Sequence, residues 1–450
     1  MVATSFLGLV LAFAAWAFGG VNDGSLAAIS AAVGAAVVLR LTGAATARWS
    51  LPPSAVWRWS WGAPLLALAL LIAVQAINSS HVYSPLQQGL VPHPHLPGLP
   101  AGVDGRTAAQ SLLKLLTYAG MFWLACGLAE GRQRRGLMAI ATGSGFVMAM
   151  LVVLQRVTPR PFPVFPLTGM FVNANNYAAY ANLLIPVALG LAARAGREAR
   201  SRGALSHPGY LLRTLAGGLV LSVFMTGSRA GTLIAAGQVA VWVALEGRAA
   251  GAPDRVRRWL MALTVLALLA VLFAFARTVP GVHDGSGVAS LKNEIADRLA
   301  VDRATLCLFA ERWLFGSGAG TFALAFPYYQ PVHLAGFYRY AHNDPLQYLA
   351  ELGVVGFGLL AALGLGAWYT GRQARPPPGR AVRGGPDERQ GAAVALGGLA
   401  LHALVDFPLH IPAIALLAAA WVGLLQHRSR HALSGGGETP PSKPQNGRSC

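Results

Sequence analysis

The chain has 450 residues, of which 54% are hydrophobic and 12% charged, and its formal net charge is +18. So little polar surface cannot clothe soluble domains of this length, which excludes an ordinary globular protein and calls for a polytopic membrane protein. The positive charge would suggest nucleic acid in a soluble chain, but in a membrane chain basic residues first mark the cytoplasmic loops, so no nucleic-acid partner is expected.

Apolar windows of about 17 to 25 residues give about twelve candidate spans. They fall at 3–19, 25–43, 61–78, 108–128, 136–155, 176–193, 210–227, 229–246, 259–276, 345–369, 391–407 and 411–426. The first reads as a retained span rather than a signal peptide, because no basic segment precedes it and another apolar run follows. Basic residues test the alternation. Arg132, Arg134 and Arg135, then Arg194, Arg197, Arg200 and Arg202, then Arg372, Arg375, Arg380, Arg383 and Arg389 all lie in even-numbered connections. Short cytoplasmic loops are rich in Lys and Arg. The expected architecture is therefore an all-α transmembrane bundle over 1–430 with both termini cytoplasmic, and with the long connections 79–107, 156–175 and 277–344 facing outward. The tail 431–450 is rich in Gly, Pro and Ser and reads as disordered.

Of the outward connections only 277–344 is large enough to fold. From Leu291 it spaces Ile295, Leu299, Leu306 and Phe309 among charges, as an amphipathic helix lying against the bundle or the lipid interface would. Gly316, Gly318 and Gly320 then break it, and Tyr328, Tyr329, Phe337, Tyr338 and Tyr340 crowd the approach to His342. The stretch from Phe315 to Leu360 brings polar chemistry to a membrane surface and reads as the working end. Broken spans paired between two halves, which would indicate an alternating-access transporter, are not found.

Several chemistries lack a signature. Cys126, Cys307 and Cys450 are too scattered for a disulfide or cysteine metal site. His81, His93 and His95 sit in a Pro-rich loop with no third ligand at useful spacing, so no metal is expected. There is no Walker loop, dinucleotide fingerprint, HExxH or GxSxG, and no cofactor is expected.

Four outward-facing basic residues, at three places in the chain, cannot be topology markers. Arg229 lies in a tight turn between two spans, where a cation is costly unless paired or serving a polar cavity. Asp406 is its candidate partner. Arg298 and Arg303 lie on the loop helix and serve either substrate or lipid headgroups. His342 stands where the loop re-enters the membrane. An imidazole, with an ordinary pKa of about 6.5, suits a general base near neutral pH. Asn343 and Asp344 either orient that ring or cap the helix that follows.

Together these residues resemble the O-antigen ligase and Wzy-type polymerase family. R-x3-L runs from Arg229 to Leu233, and H-[NSQ]-x9-G-x2-[GTY] from His342 and Asn343 to Gly353 and Gly356. The segment from Arg298 through Leu314 to Gly318 and Phe322 is similar to the family's R…P-L-F-G-x-G-x-x-x-F signature, with Trp313 in place of proline. Phe171, Asn173 and Asn175 resemble its F-x-N-x-N element, and His402 to Pro412 its C-terminal span.

The resemblance implies a metal-independent, inverting membrane glycosyltransferase of the GT-C type in the bacterial inner membrane. Its donor would be a glycan on undecaprenyl diphosphate, held through the diphosphate by Arg229 and by Arg298 or Arg303. His342 would be the base on a hydroxyl of lipid A-core or another glycan acceptor. Spacing from the Gly316–Gly318 turn favours Arg298 over Arg303. Ligase is the first expectation, then a polymerase with the same site, then a protein-glycosylating relative. From a different class, a flippase for lipid-linked sugars would use Arg229 as a substrate-binding charge.

Overall fold

The computed structural model describes residues 2–46, 59–84, 86–87, 89–128, 130–158, 168–203, 208–278, 286–373 and 385–426. The expected tail 431–450 lies outside the described residues, as do Arg375, Arg380, Arg383 and Cys450. The helices are α1 (Val2–Trp16), α2 (Asp23–Ala45), α3 (Trp59–Ile77), α4 (Gly105–Cys126), α5 (Gly131–Val157), α6 (Ala174–Ser201) and α7 (Pro208–Met225). They continue with α8 (Arg229–Ala249), α9 (Asp254–Thr278), α10 (Ser286–Glu311), α11 (Phe322–Ala325), α12 (Asp344–Gln373), α13 (Glu388–Ala403) and α14 (Pro412–Leu425).

Every expected apolar window coincides with a helix. Among the described residues seven helices, α2, α3, α5, α6, α7, α8 and α12, are long and apolar enough to cross a membrane, while α1 and α14 are apolar but shorter. Among the described residues the strands form one small antiparallel hairpin, in the 79–107 connection. It pairs β1 (His81–Ser84) with β2 (Gly89–Pro92), Val82 opposite Val91.

Helix α6 is the axis of the bundle, buried along most of its length by α5, α7, α8, α13 and α14. Small residues permit that crowding. A Cβ on Gly391 of α13 would lie 2.3 Å from the Pro186 carbonyl oxygen of α6, the close backbone approach that membrane helices use where hydrophobicity cannot drive association. Trp421 of α14 adds a hydrogen bond from its indole N–H to the Leu183 carbonyl at 3.0 Å.

The two ends of α6 differ in chemistry. At its C-terminal end Arg194 reaches Glu388 at 3.5 Å, Arg135 reaches the same carboxylate at 3.9 Å, and Arg197 donates to the Pro386 carbonyl at 2.7 Å. At its N-terminal end Asn175 meets the turn that precedes Arg229. Nineteen helical residues separate Asn175 from Arg194, about 30 Å at 1.5 Å per residue and close to the thickness of a bilayer's hydrocarbon core.

Helix α10 begins at Ser286, earlier than the expected Leu291, and of the expected apolar stripe only Phe309 packs against the bundle. Val301, Ala304, Thr305 and Leu308 pack inward, whereas Ile295, Leu299 and Leu306 are about half exposed. The reason is visible at the inner face, where Val301, Ala304 and Leu308 join Phe322, Phe326 and Ala350 in a core of their own.

Candidate active site

The Gly-rich turn and the glycines of the histidine motif form one structural unit. At Gly353 (φ 64°, ψ −174°) α12 breaks, and the backbone freed there hydrogen-bonds the turn. Ser317 N–H donates to the Ala350 carbonyl at 3.0 Å and Gly318 N–H to Glu351 at 2.9 Å; Val354 N–H donates to Trp313 at 2.8 Å. A Cβ on Gly353 would sit 2.3 Å from the Leu314 carbonyl oxygen, so both the left-handed backbone and the contact require glycine. The buried Glu351 carboxylate accepts from Gly320 N–H at 2.7 Å, Phe322 N–H at 3.2 Å and the Gln347 amide at 3.0 Å. Gln75 of α3 closes the turn from the other side, donating to Phe315 O at 2.7 Å and accepting from Ala319 N–H at 3.2 Å.

This scaffold fixes His342. Gln347, held by Glu351, accepts the Ala341 N–H at 2.9 Å. His342 itself has φ +57°, a conformation that a non-glycine residue keeps only where its surroundings over-determine it. Its Nδ1 lies 3.2 Å from Asp406 Oδ1, and its ring meets Phe407 edge-on at 4.9 Å. A carboxylate only accepts, so Nδ1 carries the proton and Nε2 keeps its lone pair. The His342 side chain is 29% exposed and that of Asp406 2%, so the imidazole is open to a reactant while its orienting partner is not.

The expected partnerships are corrected here. Asp406 pairs with His342, not with Arg229. Asp344 does not orient His342 either. It accepts from His410 Nδ1 at 2.5 Å and from Leu409 N–H at 2.8 Å, tying the start of α12 to the segment before α14. Asn343 caps α12 by accepting from Leu346 N–H at 3.2 Å. Burial pushes the Asp302 carboxyl above its ordinary value, against the opposing pull of Asn343, Arg298 and His342.

Arg229 opens α8, whose first turn is capped by Ser228. The Ser228 hydroxyl donates to Asn175 Oδ1 at 2.7 Å, and Asn173 caps α6 by accepting from Asn175 N–H at 2.7 Å. The F-x-N-x-N element thus braces the turn that presents Arg229, with Phe171 packed on Tyr177 and Tyr180 beneath it.

Arg229 Nη1 lies 3.0 Å from Glu294 Oε2, and the other oxygen of Glu294 lies 3.1 Å from Arg298 Nη2. Arg298 also donates to the Val405 carbonyl. Arg229, Arg298 and His342 therefore converge on one edge, joined through Glu294, Val405 and Asp406. Arg303 does not join them. Five residues along α10 turn it about 140° from Arg298, and it is exposed with no ion pair among the described residues.

Sequence reasoning missed Glu294, one charge among many on α10, and His410. It also missed that Asp406, 64 residues from His342, is the histidine's partner. Among the described residues no three of His, Cys, Asp or Glu converge as metal ligands.

A protein-family model described as O-Antigen ligase matches residues 215–361, which include Arg229, Glu294, Arg298 and His342 but end before Asp406. No curated protein matches the chain.

Proposed function

We propose that this chain, matched over residues 215–361 by a family model described as O-Antigen ligase, is an inverting glycosyltransferase. It moves a glycan from undecaprenyl diphosphate to a sugar hydroxyl of lipid A-core at the periplasmic face of the inner membrane. The observation that supports this most is the shared edge, with Arg298 bonded to Val405 and the carboxylate of the next residue, Asp406, bonded to His342. We read all twelve expected windows as crossings. The arginine-rich end of α6 then faces the cytoplasm together with both termini, and the His342 end faces the periplasm.

In the proposed step the acceptor oxygen attacks the anomeric carbon from the side opposite the diphosphate, and its proton passes to His342 Nε2. The bond from the anomeric carbon to the diphosphate oxygen breaks, and its electron pair leaves on undecaprenyl diphosphate. Arg229 and Arg298 offset that charge, since guanidinium is the preferred partner of phosphate oxygens and supplies charge a metal would otherwise bring. Asp406 stabilises the imidazolium formed. Asn173, Asn175 and Ser228 act by holding Arg229 in place, and Asn343 by capping the helix behind His342.

The test is transfer in vitro, in chelator, from undecaprenyl diphosphate-linked polysaccharide to lipid A-core by wild type, His342→Ala and Arg229→Ala. Modified lipid A-core from wild type alone supports the proposal. A wild type that lengthens the lipid-linked glycan and ignores lipid A-core is a polymerase with the same site. Failure of all transfer, with lipid-linked sugar carried across a vesicle membrane, would remove the enzyme reading.

A further inference from the structure

The two arginines assigned to the donor diphosphate already share an anion supplied by the chain. Glu294 sets one carboxylate oxygen 3.0 Å from Arg229 and the other 3.1 Å from Arg298. A diphosphate would divide its oxygens between the two guanidiniums in the same way. We infer that Glu294 is a resident stand-in for the diphosphate, a carboxylate in the binding site that the donor displaces and that returns to expel the product. This rests on the reading of Arg229 and Arg298 as the diphosphate site.

Three features favour exchange over a fixed structural bridge. The first is exposure, since the side chains are 47% exposed for Glu294, 53% for Arg229 and 30% for Arg298. Water competes for each bond, and such pairs are weak enough to open for a ligand. A second feature is asymmetry. Arg298 keeps its bond to the Val405 carbonyl when Glu294 leaves, while Glu294 is the only ion-pair partner of Arg229 among the described residues. Displacement therefore frees Arg229 without unseating Arg298. The third is pre-organisation, because two guanidiniums near one another repel unless an anion lies between them, and Glu294 keeps both in place while the site is empty of substrate.

Any phosphate ligand that displaces Glu294 meets the same cost, and a diphosphate, with more charge than the one carboxylate it replaces, offsets that cost most fully. Glu294 also competes with undecaprenyl diphosphate after transfer, so its loss should lower donor KM and strengthen product inhibition together.

The experiment titrates full-length protein in detergent at low ionic strength with inorganic pyrophosphate and, separately, orthophosphate, using calorimetry. Wild type is compared with Glu294→Gln, Glu294→Ala and the double variant Arg229→Ala/Arg298→Ala, and thermal midpoints check that each folds. Losing two exposed competing bonds should tighten pyrophosphate by about fivefold in both Glu294 variants. Orthophosphate should tighten by a similar factor, because both ligands displace the same carboxylate. If the double variant loses pyrophosphate but neither Glu294 variant binds it more tightly than wild type, the stand-in role is overturned and the arginine site survives. If the double variant binds pyrophosphate as wild type does, the diphosphate site itself is wrong and the inference falls with it.

Discussion

Replacing Asp406 by Asn is expected to slow turnover while leaving donor binding intact. The carboxylate is buried and accepts both His342 Nδ1–H at 3.2 Å and Phe407 N–H at 2.9 Å through the same oxygen. Asn keeps the shape, and its amide oxygen in the place of Oδ1 can still accept from both N–H groups, but it lacks the charge that stabilises an imidazolium on the way to the transition state. A hydrogen bond to a charged group contributes about 1.5–3 kcal/mol, or about 10- to 150-fold in rate when lost only in the transition state. The 3.2 Å separation is long for such a bond, and water reaches the 29%-exposed imidazole, so the lost charge assistance belongs in the lower part of that range. Asp406→Asn should therefore lower kcat by about tenfold or more with donor KM within about twofold. Initial rates of glycan transfer over a series of donor concentrations measure this. Unchanged kcat, or a raised KM with kcat intact, would show that the charge of Asp406 does not assist the base.

The neighbouring pair should respond differently. Asp344 is fully buried and bonds His410 and the Leu409 amide, so Asp344→Asn should cost about 1–3 kcal/mol of stability, read as a lower thermal midpoint, with donor KM unchanged. Arg298→Ala should raise donor KM by about tenfold or more, whereas Arg303→Ala should leave it within about twofold, as expected for one arginine on the shared edge and one turned away. Gly353→Ala forces a Cβ to 2.3 Å from the Leu314 carbonyl oxygen and a side chain into positive φ. It should destabilise the protein by about 3 kcal/mol or more, seen as loss of folded protein on size-exclusion in detergent.

Helix positions were legible because apolar length is a local property, and all twelve windows from 3–19 to 411–426 meet helices. Arg229 and His342 stood out in the sequence as basic residue types in connections expected to face outward, where the positive-inside pattern gives them no place. Arg298 could be preferred over Arg303 by spacing, but only the helical phase of α10 separates their surroundings. Pairing was not legible. Asp406 could be proposed for Arg229 as an opposite charge near the same expected face; the left-handed turn at His342 and the segment after α13 bring Asp406 to the histidine instead. Periodicity identified the stripe of Ile295, Leu299 and Leu306 without saying whether the bundle or lipid covers it, and the bundle leaves those three about half exposed. The glycine motif read as part of the working end, while its hydrogen bonds show a brace that holds the start of α12.

The most direct test of the central claim is a cryo-EM structure of the full-length chain in nanodiscs with a bound undecaprenyl diphosphate-linked sugar. The account predicts the diphosphate between the guanidiniums of Arg229 and Arg298, Glu294 displaced, and the anomeric carbon turned toward the space before His342 Nε2, with Asp406 still on Nδ1. A diphosphate seated away from both arginines, or a reacting sugar on the far side of Phe407 from His342, would contradict it.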